Sequence, residues 1–84
     1  MSFLTVSLFR LRVIADADPG AIARVVERFH NLNVLPRRLS AEFGTDDIVH
    51  IEADVCGLTE EQIKVIAAKL RAVTCIVNAY WHRL

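Results

Sequence analysis

The stretch Phe9-Arg10-Leu11-Arg12-Val13-Ile14-Ala15-Asp16-Ala17-Asp18-Pro19-Gly20-Ala21-Ile22-Ala23-Arg24-Val25-Val26 changes its period once. On its N-terminal side Phe9, Leu11 and Val13 point one way, and Arg10 and Arg12 point the other. That alternation predicts a strand from Val6 to Ala15 with one buried face. Asp16 to Gly20 breaks the pattern. Asp18 suits an N-cap, and Pro19 suits a first helical position, where a missing N–H costs nothing. Ile22, Val25, Val26, Phe29 and Leu32 then follow at helical spacing, with Arg24, Glu27, Arg28 and Asn31 on the other side. An amphipathic helix over Pro19 to Leu32 is expected. Asn31 and Asn33 end it, because Asn tolerates the left-handed conformation that stops helices.

The same reading carries outward. Val34 to Phe43 alternates as a second strand, with Leu35, Leu39, Ala41 and Phe43 on one side and Pro36, Arg38, Ser40 and Glu42 on the other. Pro36 lacks an N–H and belongs at a sheet edge. Gly44-Thr45-Asp46-Asp47 is too short for a crossover, so a hairpin leads into a third strand over Ile48 to Val55. Thr59 and Gln62 form a capping-box pattern, Leu58 with Ile63 can staple it, and Glu60 and Glu61 suit the positive helix end. A second helix over Glu60 to Arg71 buries Ile63, Ile66, Ala67, Leu70 and Val73 on its apolar stripe. Thr74 to His82 is a fourth strand. The order strand–helix–strand–strand–helix–strand predicts an α+β fold. It is a ferredoxin-like βαββαβ two-layer sandwich, with an antiparallel sheet in order 4-1-3-2 and both helices on one face.

Length and composition bound the rest. The chain has 84 residues, 54% of them hydrophobic and 24% charged, and its ten basic and ten acidic residues cancel. One domain over residues 1–84 is expected, with no overall field to draw in nucleic acid or an anionic membrane. So small a domain leaves much of its apolar surface outside its own core, which points to a homodimer. Cys56 and Cys75 lack metal or disulfide-framework spacing and read as small buried hydrophobes of a reducing, cytoplasmic compartment. In this topology they fall at opposite ends of the sheet, beyond the ~7 Å reach of a disulfide. Arg10 and Arg12 interrupt the apolar start, so it is unlike a signal peptide, and no apolar run reaches the ~20 residues of a membrane span.

The loop and first helix, Asp18-Pro19-Gly20-Ala21-Ile22-Ala23-Arg24-Val25, resemble the ACT domain, a small amino-acid-sensing regulatory module. The resemblance continues through Phe29 and Asn33 and covers nearly the whole chain. Among freestanding ACT domains of this size, it is most like the regulatory small subunits of acetolactate synthase. It implies a regulatory protein with no catalytic residues and no cofactor. The implied partners are a second copy, a catalytic subunit of an amino-acid biosynthetic enzyme, and a small amino-acid effector. The ligand-binding residues it implies are Ala17, Asp18, Gly20 and Ala21 of one subunit with Asn33, Val34 and Leu35 of its neighbour. Gly20 also has a physical reading: backbone N–H groups bared at the positive end of a helix can receive a ligand carboxylate. Valine-binding members carry an amide side chain where Ala17 stands, a second one where Leu35 stands, and a Gly where Asn33 stands. A degenerate ACT domain that only dimerises or assembles is therefore the alternative function.

Other candidates are weaker. Strand three is acidic and has no aromatic residue, unlike an RNA-recognition module of this topology. The first loop lacks the Cys-x-x-Cys of a copper chaperone and the phosphate-holding Arg of an acylphosphatase. His30, His50 and His82 lack ligand spacing, so no metal is expected. Arg37-Arg38 reads as solvated edge-strand charge. Arg10 and Arg12 should face His50, Glu52 and Asp54 across strands one and three, as a self-paired open face. Tyr80 and Trp81 should lie on opposite faces of strand four.

Overall fold

A computed structural model describes residues 7–84. The elements are β1 (Leu8–Asp16), α1 (Pro19–Asn31), β2 (Arg38–Phe43), β3 (Ile48–Cys56), α2 (Glu60–Arg71) and β4 (Ile76–Arg83). All strand pairs are antiparallel, in the order β2-β3-β1-β4. This is the expected ferredoxin-like sandwich. Phe9, Leu11, Val13 and Ala15 of β1 and Val49, Ile51, Ala53 and Val55 of β3 are buried. They meet Ala21, Val25 and Phe29 of α1 and Ile63, Ile66, Ala67 and Leu70 of α2 in one core. The period change at Asp16 thus becomes a change of layer.

Local chemistry sets the boundaries. Asp18 caps α1 and Pro19 begins it. At α2 the reciprocal capping box forms: Gln62 N–H donates to Thr59 Oγ1 at 3.1 Å, and Thr59 N–H to Gln62 Oε1 at 2.9 Å. Asp46 and Asp47 have φ of 60° and 55°, the left-handed pair that a two-residue hairpin turn requires.

Several expectations need correction. β2 begins at Arg38, not Val34. Asn33 is left-handed at φ 55° and turns the chain out of α1. The β2–β3 ladder ends at Arg38 opposite Asp54; Arg37 N–H also donates to the Asp54 carbonyl at 2.8 Å, and Pro36 before it has no N–H with which to carry the ladder on. Val34 and Leu35 therefore lie in an irregular segment, and Leu35 is 88% exposed instead of sharing the sheltered side of a strand. α1 ends one residue early, with Leu32 as its C-cap, and β3 runs one residue further, to Cys56. β4 starts at Ile76, not Thr74, and its register slips beside Ile14 and Ala15, leaving Val77 as the extra residue of a bulge. Val6, the expected start of β1, lies outside the described residues. The two cysteines are free and half-buried, not fully buried. Cys56 pairs with Leu8, whereas the Cys75 carbonyl accepts from Asp16 N–H at 2.8 Å. They are therefore about a strand length apart, roughly 26 Å for eight steps of ~3.3 Å.

Candidate functional site

The β1–α1 loop and the free end of β2 meet in a cleft of about 130 Å³ lined by Ala17, Asp18, Pro19, Ile22, Phe43 and Val49. Asp18 sits at its mouth as the cap of α1. Ala17 N–H donates to the Asp47 carbonyl at 2.8 Å, tying the loop to the β2–β3 turn. Phe43 is the last residue of β2 and is 80% exposed, so one wall of the cleft is an aromatic ring without a lid.

The helix start differs from the expected carboxylate cradle. Gly20 N–H donates to Asp18 Oδ1 at 2.7 Å, and Ala21 N–H donates to the Asp18 carbonyl at 2.9 Å. These amides already have partners, one of them an anion. A Cβ on Gly20 would lie 3.1 Å from Asp18 Oδ1, so the bare Cα gives the capping carboxylate its room. With a negative group on the helix end, the mouth of the cleft suits an ammonium better than a second carboxylate.

Of the seven residues flagged from sequence, Ala17 and Asp18 line this cleft, and Gly20 and Ala21 are in the turn behind it. Asn33, Val34 and Leu35 border a separate depression with His30 at the other end of α1. The helix between them has 13 residues, about 20 Å at ~1.5 Å per residue. One chain does not bring the two groups together. Sequence reasoning missed Ile22, Phe43 and Val49 as cleft residues. The signal for Phe43 was its place beside the turn, on the helix-facing side of an edge strand.

The two sheet edges are built differently. On β4, the outward backbone groups of Ala79 are filled by side chains. Arg71 Nη1 donates to its carbonyl at 2.8 Å, and Asn78 Oδ1 accepts from its N–H at 2.9 Å. On β2, no side chain among the described residues fills the backbone in this way, and Leu39 and Phe43 are exposed beside it. Ile22 and Val26 of α1 continue that apolar surface.

The sheet face away from the helices carries an ion network. Arg10 grips Asp54 with two hydrogen bonds, Nε to Oδ1 at 2.7 Å and Nη2 to Oδ2 at 2.9 Å. Arg38 Nη1 donates to Glu52 Oε1 at 2.7 Å, and Arg10 Nε is 3.3 Å from the same oxygen. The hydrogen bond from Arg38 holds the Glu52 carboxyl below its ordinary pKa, and that from Arg10 does the same for Asp54. The bond to Asp54 raises Arg10 in turn. The expected self-pairing of this face is present, with two corrections. Asp54 is buried, at 7% exposure, because the arginines cover it. Arg38 belongs to the network and is not merely solvated edge charge. Tyr80 lies on this face opposite Arg12, while Trp81 turns inward and meets Phe9 edge-on at 5.5 Å.

Among the described residues no group of three or more His, Cys, Asp or Glu is placed to hold a metal ion. No described helix is long and apolar enough to cross a membrane.

Comparison with known proteins places this geometry. A family model described as an ACT-like domain matches residues 4–84. The C-terminal domain of the MgtC protein from Mycobacterium tuberculosis superposes with a TM-score of 0.79 at 18% identity, covering 100% of this chain and 94% of that one. The ACT domain of the GTP pyrophosphokinase of Chlorobium tepidum gives 0.74 at 16% identity, over 95% of this chain and 100% of that one. A homoserine dehydrogenase from Thiobacillus denitrificans gives 0.77 at 17% identity, over 95% of this chain but 18% of that one. At these identities the likeness is one of fold. No curated protein matches the chain by sequence.

Proposed function

The chain belongs to the ACT-like domain family, and from that premise we propose that it is a regulatory module binding a free amino acid between two of its copies. The observation that carries this reading is the cleft beside the unfilled β2 edge. If β2 pairs antiparallel with its copy, the Arg38 end of one strand lies against the Phe43 end of the other. That brings Asn33, Val34 and Leu35 of the second copy to the cleft of the first and joins the two groups that α1 separates. The ligand's apolar side chain enters against Ile22, Phe43 and Val49. Its ammonium meets Asp18. Its carboxylate meets Arg37 of the second copy, which precedes β2 on the helix-facing parity of Leu39 and Phe43.

The finer reading is that the module regulates a biosynthetic enzyme such as acetolactate synthase, with that enzyme's catalytic subunit as partner. It rests on the resemblance of the loop and first helix. A fold likeness to part of a homoserine dehydrogenase supports a setting in amino-acid metabolism. The second reading, an assembly module without ligand, is favoured by one observation: Asp18 already neutralises the start of α1.

A thermal-shift screen with the twenty amino acids separates the two. A ligand at 100 times its dissociation constant stabilises by about 2.7 kcal/mol. At least one amino acid should raise the melting temperature. Asp18→Asn should abolish that amino acid's saturable NMR shifts at the cleft residues Ala17, Ile22, Phe43 and Val49 and leave the unliganded protein as stable, since Asn caps a helix as well as Asp does. A dimer that responds to no amino acid supports the assembly reading. A monomer at micromolar concentration removes the two-copy site.

A further inference from the structure

The open face of the sheet reads as three cross-strand rows. The first is Arg38, Asp54, Arg10 and His82; the second is Ser40, Glu52, Arg12 and Tyr80; the third is Glu42, His50, Ile14 and Asn78. Arg10 and Arg38 carry two positive charges, Glu52 and Asp54 carry two negative ones, and these four are bound to one another. Two charges on this face are not hydrogen-bonded into that set: Arg12, which joins it only through an ion pair, and Glu42. Arg12 approaches the network only at 3.6 Å, Nη2 to Glu52 Oε2, longer than a charge-assisted hydrogen bond of roughly 2.7–2.9 Å. Its Nε is buried without a hydrogen-bond partner among the described residues. Glu42 makes no ion pair with a described residue, its nearest cross-strand neighbour being His50.

Arg12 and Glu42 line one depression of about 260 Å³ together with Ser40, His50, Tyr80 and Ile14. Arg12 and Glu42 are two strands apart, about 10 Å across the sheet. That spacing keeps them from closing on each other and leaves room for a group bearing both charges. An anion alone meets Glu42 and Glu52, which also line the site; a cation alone meets Arg12. We propose that this depression is a binding site for a free amino acid held as a zwitterion, its carboxylate on Arg12 and the Tyr80 hydroxyl and its ammonium on Glu42. Ile14 offers apolar surface to the side chain. The site lies within one chain and does not depend on the cleft beside β2 or on dimer formation.

The test is an amide-resolved NMR titration of the full chain with the twenty free amino acids, one at a time. At least one should give saturable shifts at Arg12, Glu42, His50 and Tyr80. Its N-acetyl and amide derivatives, each missing one charge, should bind on the order of tenfold more weakly, as should it to Glu42→Gln and Arg12→Gln. Asp18→Asn should leave these shifts unchanged, which separates this site from the edge cleft. Glu42 is exposed on an edge strand, so its variant carries the test even if Arg12→Gln folds poorly. The proposal is overturned if no amino acid saturates these amides, or if either derivative binds as tightly as its parent. It is equally overturned if the shifts survive Glu42→Gln and vanish in Asp18→Asn.

Discussion

The two edges of this sheet share one ladder geometry and treat their outer backbone in opposite ways. β4 fills the middle of its own edge. Arg71 reaches from α2 to the Ala79 carbonyl, and Asn78 folds back onto the Ala79 N–H. The bulge at Val77 adds a local twist. Side-chain plugs and bulges are the means by which natural sheets prevent strand addition. β2 has neither among its described neighbours. It instead presents Leu39 and an 80% exposed Phe43, beside Ile22 and Val26 of α1. The difference teaches where a second copy can extend the sheet, and the cleft lined by Ala17, Asp18 and Phe43 lies at that edge.

The largest expected effect comes from breaking the open edge. Leu39→Lys places an unpaired charge in the proposed β2 contact while letting the monomer carry its head group into solvent. The dimer dissociation constant should rise by roughly 30- to 1,000-fold, the equivalent of about 2–4 kcal/mol at a contact centre. Sedimentation equilibrium reads this directly, and an unchanged constant would put the contact elsewhere.

A second test concerns the ion network that spans β2, β3 and β1. Glu52 and Asp54 have folded pKa values below their unfolded ones. Their contribution to stability is therefore complete above the ordinary carboxylate range and is lost as pH falls through the depressed folded values. Wild type should melt higher than Asp54→Asn at neutral pH, and the two curves should converge in acid. A constant gap down to the acid limit would assign the stabilisation to packing instead of charge.

The smallest effect sharpens the closed edge. Asn78→Ala strips the cap from the Ala79 N–H and should cost about 1 kcal/mol, the worth of one ordinary hydrogen bond. Urea unfolding measures it. The variant should keep the wild-type dimer constant, since β2 is untouched.

Much of this architecture was legible because the chain changes period at marked places. Asp18-Pro19 and the Thr59/Gln62 box begin the helices, and the alternations around them give the strands in order. The start of β2 was not legible. Alternation continues through Leu35, but whether a strand forms there depends on a ladder partner, and the ladder closes with Arg37 N–H on the Asp54 carbonyl, beyond which Pro36 has no N–H to extend it. The site was legible in part. Asp18 could be recognised as a cap, yet only the folded geometry shows its carboxylate on the Gly20 amide, where a ligand carboxylate was expected. Phe43 and Val49 join the cleft through register and turn. Arg10 and Arg12 look alike in an alternating strand. The register separates them, giving Arg10 a fork onto Asp54 and leaving Arg12 a distant oxygen of Glu52.

Amide hydrogen exchange of the wild-type protein, followed strand by strand at low and high concentration, tests the contrast between the edges most directly. Amides of β2 should gain protection as concentration rises and the dimer fills, while those of β4 stay the same at both concentrations. Protection that rises along β4, or β2 amides that ignore concentration in a protein of monomer mass, would contradict an open β2 edge that a second copy completes.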